Sequence, residues 1–279
     1  MAAASEAAVR AAASAFLSFS PPPPHPSAVA LVVTAEGLQE NPGCFIAGTM
    51  AGGHPAAPRT KIVRVHVLEG GLAAEVQVQW DYVEVEEVRW MKRGGFLTLL
   101  QHAGEWVVIA AVTAATKSSL VTPADFAAVA AACWDEYGGA NRACDADRMA
   151  KVFHPQCRLT YTGGDGKVVI KSQSEFLAMV RDRYSTPMHA PYAHLRDDPR
   201  AAAGDTLLSI TFATPDLAMV VLKVGHPPCL WTDLLTCARI GTKWWIVAKS
   251  SCKEPLLEDE ARSEDGGGKR AKTEAGPSN

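Results

Sequence analysis

Leu230-Trp231-Thr232-Asp233-Leu234-Leu235-Thr236-Cys237-Ala238-Arg239-Ile240-Gly241-Thr242-Lys243-Trp244-Trp245-Ile246-Val247-Ala248-Lys249-Ser250 is the stretch on which the reading of this chain turns. Two apolar runs flank Gly241-Thr242-Lys243, which predicts a strand over Leu230–Ile240, a tight turn at Gly241 and a Trp-led strand from Trp244 to Ser250. The same plan stands about 140 residues earlier, where Trp106-Val107-Val108-Ile109-Ala110 follows Gly104 as Trp244-Trp245-Ile246-Val247-Ala248 follows Gly241. Upstream of each, Gly71–Val78 and Pro215–Leu222 share an apolar pattern. A length of 279 residues suits one large domain or two small ones, and the repeat resolves it as two unequal copies joined near Thr116–Thr122. The predicted units are 1–27, an N-terminal helix and proline-rich stretch of the first domain; 28–116, a degenerate copy; 117–252, a complete copy; and 253–279, a disordered charged tail.

The second copy can be followed in more detail. Thr122-Pro123-Ala124-Asp125 opens a helix with an N-cap, a proline at the first position and an acid near the positive end. Its apolar face is Phe126, Val129, Cys133, Trp134 and Tyr137, and Gly138-Gly139 is expected to end it. Asp145 caps a short helix that stops at His154-Pro155, Cys157–Thr162 alternates as a strand, and Gly163-Gly164-Asp165-Gly166 reads as a hairpin turn. Ser172-Gln173-Ser174-Glu175 is a capping box for a helix running to about Tyr184. Strands follow near Leu207–Phe212, Leu217–Val224, Leu230–Ile240 and Trp244–Ser250. Helices segregated from strands indicate α+β rather than a parallel α/β sheet.

Phe153-His154-Pro155 after the second helix, Trp231-Thr232-Asp233 on a strand, and the closing Gly241…Trp244…Ile246…Lys249 carry a family likeness. The chain resembles the nuclear transport factor 2-like superfamily, a cystatin-like α+β cone. It is most like the branch labelled putative lumazine-binding, near the polyketide-cyclase-like proteins. The resemblance covers 122–252, while 5–115 resembles a degenerate copy through its closing strands. It implies two tandem cone-shaped domains, each a curved antiparallel sheet wrapped by helices, forming an internal pseudo-dimer. Strand Ala218–Val224 is apolar on both faces except Lys223, as expected of a sheet covered on both sides. Ala74–Trp80 alternates and keeps one polar face, which reads as wet or as lining a polar cavity.

Asp233 is the candidate catalytic residue. It interrupts an apolar strand, and desolvation of an unpaired carboxylate favours its protonated form, which is how a base or proton donor arises. The alternative is that Asp233 points outward and pairs with Lys249 or a backbone donor. A ligand pocket is expected at Tyr137, Tyr161, Phe176, Trp231 and Trp244. His154 reads as the cation at a helix C-terminus, and His189, Tyr192 and His194 with Asp197 and Asp198 match no zinc signature. Gly163–Lys167 lacks the Ser or Thr and the helix of a phosphate loop. No metal and no cofactor are expected.

Composition narrows the classes. The formal net charge is −3 and 48% of residues are apolar, which gives no electrostatic footprint for nucleic acid and a normal globular core. No apolar run is long enough to span a bilayer. Seven cysteines without a C-x-x-C pair suit reduced thiols in an intracellular protein. The N-terminal segment, a helix over Ser5–Phe19 stopped by Pro21–Pro24, is poor in acids, so plastid or mitochondrial import stays open beside a cytoplasmic or nuclear setting. In the tail, Lys269-Arg270-Ala271-Lys272 reads either as a nuclear import signal or as a solvated basic cluster. The leading expectation is a small-molecule-binding or scaffold protein that takes a small apolar or aromatic ligand. The alternatives are an isomerase, cyclase or dehydratase on an apolar carbonyl compound with Asp233 as base and Tyr137 or Tyr161 as donor, and a module that binds a protein partner.

Overall fold

A computed structural model of the chain describes residues 2–17, 29–34, 37–40, 59–68, 73–84, 89–102, 104–115, 120–163, 167–196, 202 and 204–255. The proline run Pro21–Pro24, the stretch 41–58, the junction 116–119, the turn 164–166, Asp197, Asp198 and the tail from 256 lie outside the described residues.

The first half has α1 (Ala2–Phe16) and strands β1 (Val29–Thr34), β2 (Gly37–Glu40), β3 (Arg59–Val67), β4 (Ala73–Glu84), β5 (Arg89–His102) and β6 (Glu105–Ala115). The second begins with α2 (Pro123–Ala130), which continues through a π-helical stretch, Ala131–Gly138, into α3 (Gly139–Ala143). There follow α4 (Ala146–Ala150), β7 (Phe153–Thr162), β8 (Val168–Ser172), α5 (Gln173–Arg181), two 3-10 turns (Arg183–Ser185 and Ala190–Leu195), β9 (Thr206–Thr214), β10 (Leu217–His226), β11 (Cys229–Ile240) and β12 (Lys243–Pro255). The architecture is α+β. Among the described residues no helix is long and apolar enough to cross a membrane.

The two six-stranded sheets share one strand order, β2-β1-β6-β5-β4-β3 and β8-β7-β12-β11-β10-β9. Most pairs are antiparallel, as expected of a meander. The β1–β6 and β7–β12 pairs are parallel, because each meander closes by laying its last strand beside the first hairpin strand, running the same way. Matched stretches face alike. Ala73 and Leu217 lie in a core drawn from both sheets, whereas Ala74 and Ala218 point to the opposite, helix-covered sides. In the shared core Phe96, Leu100 and Ile109 of the first sheet pack with Met219, Val221 and Val247 of the second. On the outer face of the first sheet, Val9 and Ala13 of α1 pack on Val76, Leu97 and Ala111. On that of the second, Val129, Tyr137, Met149, Phe176 and Val180 pack on Val220, Leu235 and Ile246. Strand β10 is therefore buried on both faces.

The polar face of β4 turns toward the second sheet, with Glu75 buried and Gln77 and Gln79 half-buried. There Gln77 Nε2 donates to the Phe212 carbonyl at 3.1 Å and Arg64 donates to Thr211 Oγ1 at 3.0 Å. Two local expectations are corrected. Gly138-Gly139 does not end the helix, since both residues keep right-handed helical angles. The end comes at Cys144, whose φ of 54° is left-handed. His154 caps no helix. It lies in β7, edge-on to Trp245 with ring centroids 5.6 Å apart.

Candidate functional site

The π-helical stretch, α3 and α5 lie over one face of the second sheet, and a cavity of about 430 Å³ is lined by them and by the sheet. That size is in the range of small-molecule sites. Alternation along β11 puts Trp231 and Asp233 on the cavity side, and Lys249 and Ser251 do the same along β12. Four residues apart on the long helix, Tyr137 and Asn141 share its inner face. Tyr161 of β7 and Phe176 of α5 line the cavity as well.

Asp233 lies at the centre of a buried network. It is 1% exposed and forms an ion pair with Lys249, itself 5% exposed. The Ser251 hydroxyl donates to Asp233 Oδ1 at 2.7 Å, Lys249 Nζ donates to Ser251 Oγ at 2.6 Å, and the Tyr137 hydroxyl donates to Asp233 Oδ2. Burial pushes the Tyr137 phenol well above its ordinary range, and the Asp233 charge adds to this, so Tyr137 stays a protonated donor. Burial pulls the Lys249 ammonium down, while Asp233 pulls it back up. Asp233 thus points inward, contrary to the outward alternative, and Lys249 pairs with it inside the cavity.

A β-bulge brings Lys249 there. On both sides of β12 the register skips Val247: Thr236 pairs Ala248 and Cys237 pairs Ile246, while β7 meets Ile246 and then Ala248. One extra residue flips the phase of every side chain beyond it. Without it, Lys249 would follow Trp245 and Val247 to the sheet-to-sheet side. The bulge recurs in the first half, where Thr98 pairs Ala110, Leu99 pairs Val108 and Ile109 is skipped. Counting from it, Gly95, Ala111 and Thr113 occupy the positions of Asp233, Lys249 and Ser251, so the charged network belongs to the second half alone.

Trp244 stands apart from the other four residues expected in the pocket. It is opposite Arg239 in the β11–β12 register, far along the strand from the Asp233–Ser251 pair. There it packs edge-on to Phe212 at 5.8 Å, under the Arg239 guanidinium at 5.4 Å. Residues not singled out from the sequence complete the wall: Asn141, Arg183 and His226. His189, weighed in the sequence as one of a set that matches no zinc signature, lines it too, while His194 is exposed and bonded to the Pro191 carbonyl. Arg183 follows a helix that predicts a solvated end, and only its 4% exposure marks it. Burial and the Arg183 charge draw both His226 and His189 below their ordinary value, so both are neutral at neutral pH. Three buried polar atoms of the wall have no hydrogen-bond partner among the described residues: Trp231 Nε1, His226 Nδ1 and His189 Nε2.

Residues 124–250 match the model of a family described as "Putative lumazine-binding". Among solved structures, the chain is similar to an NTF-2-like protein of unknown function from Silicibacter pomeroyi DSS-3, at 19% identity and a TM-score of 0.38, covering 48% of this chain and 100% of that one. It is similar to an NTF2-like protein of unknown function from Shewanella baltica OS155, at 14% identity and 0.40, covering 49% and 99%. A domain of unknown function with a cystatin-like fold from Nostoc punctiforme PCC 73102 aligns at 14% identity and 0.36, covering 52% and 86%. No curated protein matches.

Proposed function

We propose that the second half, whose residues 124–250 match the model of the family described as putative lumazine-binding, is a nuclear transport factor 2-like, small-molecule-binding domain. The ligand occupies the cavity between the sheet and the π-helical stretch, α3 and α5. One observation carries this reading: the wall holds three buried polar atoms without partners among the described residues, Trp231 Nε1, His226 Nδ1 and His189 Nε2. Such groups are costly when left unsatisfied, and a bound molecule can satisfy them. The ligand's body is apolar or aromatic, matching Phe176, Met179 and the ring of Trp231.

Asp233 serves in this reading as the anchor of Lys249. A carboxylate that already accepts from Tyr137, Lys249 and Ser251 has little lone-pair capacity left to take a proton from a ligand. The hydroxyl of Tyr137, spent on Asp233, is not open to a carbonyl oxygen. The first half acts as a scaffold. The shared sheet-to-sheet core supports an internal pseudo-dimer of two unequal domains, 28–116 with the preceding helix and 117–252. A reducing cytoplasmic or nuclear setting accords with the six described cysteines, all free thiols.

A thermal-shift screen of the full chain against aromatic heterocycles, flavins and isoprenoids tests the proposal. A saturable rise in unfolding temperature that Trp231→Ala removes is expected. A screen without one stabilising compound overturns it. Turnover of a bound compound by wild type but not by Asp233→Asn would move the protein to the enzyme class.

A further inference from the structure

We infer that the cavity's ligand is an aromatic acid, an apolar ring body carrying one carboxylate that docks on Arg183 with Lys249 beside it. The inference rests on the small-molecule reading above and adds the ligand's charge.

The charged residues of the wall are Lys171, Arg183, Lys249 and Asp233, three cations and one carboxylate. Asp233 is committed to Lys249. Arg183 is left as a buried cation whose contacts are neutral: Nη1 donates to the Asn141 carbonyl at 2.7 Å and lies 3.6 Å from Cys144 Sγ, and Nη2 donates to Asn141 Oδ1 at 2.6 Å. Among the described residues it meets no carboxylate. A guanidinium has five N–H donors, so these three contacts leave two to spare. An uncompensated buried charge is expensive, and the group that best relieves a planar guanidinium is a carboxylate bound through two parallel hydrogen bonds. The field of Arg183 reaches Lys249, His189 and His226, disfavouring the charged form of each, which is the signature of a concentrated positive potential.

The neutral wall orients the rest of the ligand. Thr186 spends its one hydroxyl proton on the Arg183 carbonyl at 2.8 Å. His189 Nδ1, 3.0 Å from Thr186 Oγ1, must therefore be the donor to that hydroxyl oxygen, and a neutral imidazole then carries its bare lone pair on Nε2. Nε2 is one of the unpartnered atoms, an acceptor, whereas Trp231 Nε1 is a donor. A ring hydroxyl or ring N–H on the ligand would meet His189.

The test compares 2-naphthoate, 6-hydroxy-2-naphthoate and 4-biphenylacetate with their primary amides, by isothermal titration on the full chain. At least one acid should bind about ten-fold or more tightly than its amide, as charged hydrogen bonds to a desolvated guanidinium warrant. Arg183→Gln should bring the pair within about two-fold, and Arg183→Lys, which keeps the charge, should retain a preference for the acid. Thermal melting reports whether each variant folds. If Arg183→Gln does not fold, the wild-type pairs and Arg183→Lys decide. Amides that bind as well as the acids, or neutral hits alone in the wider screen, overturn this inference and leave the small-molecule reading intact. No binding by any compound overturns both.

Discussion

Glu75 carries the least expected electrostatics of the molecule. It sits on the face of β4 turned toward the second sheet and is 4% exposed. Burial, opposed only in part by Arg64, pushes its carboxyl up from 4.5 to about 7. The folded chain thus holds a proton that the unfolded chain releases. Stability from this group is fully present below pH 4.5 and is lost as pH rises toward 7. Glu75→Gln removes that dependence and should raise stability at pH 8 by up to about 3 kcal/mol, on the scale of 1.4 kcal/mol for each tenfold in proton affinity. Urea unfolding of both proteins at several pH values between 4 and 8 checks it. Parallel stability curves would refute the buried-carboxylate account. In the sequence Glu75 was one member of an alternating polar face. That it would be trapped was not legible, because nothing local says what covers the face.

At the scale of elements, short-range chemistry reads directly. Ser172-Gln173-Ser174-Glu175 forms the capping box its sequence announces, with the Glu175 amide donating to Ser172 Oγ at 3.3 Å and the Ser172 amide donating to Glu175 Oε2 at 2.7 Å. Ser172→Ala should cost about 1 kcal/mol and fray α5, the element that carries Phe176 into the cavity wall. A urea midpoint unchanged by the substitution would show that α5 is held by packing alone. Thr122 and Asp125 make the same box for α2, with Arg239 bridging Asp125 and Asp216 across the sheet. Elements whose shape depends on packing were less legible. The helix over 123–143 passes two glycines by widening into a π stretch, which sets Tyr137 and Asn141 at the cavity. The bulge at Val247 leaves no mark in the apolar pattern, and Lys249 could not be assigned to a face without it.

Over the whole molecule the decisive contact is sheet against sheet. A Cβ added to Gly94 of β5 would lie 2.6 Å from the Ala213 carbonyl oxygen and 2.9 Å from Thr214 Cγ2, atoms of β9 in the other half. Gly94→Ala should therefore cost about 1–3 kcal/mol by forcing the sheets apart, and Gly94→Val more. Chemical denaturation measures this, and a Gly94→Ala protein as stable as wild type would mean the halves do not bear on each other there. The repeat, the α+β class, most strand and helix starts and Asp233 as the acid that interrupts an apolar strand are all written in local patterns: alternation, caps, and Gly-led turns before a Trp. Those signals act within a few residues, so one chain segment suffices to read them. Which face of β4 is covered, where Trp244 packs, and the gathering of Arg183, His189, His226 and Lys249 around one cavity follow from register, a one-residue bulge and the packing of separate elements. Such contacts join residues as far as 135 and 147 positions apart, and no periodicity within either segment encodes them.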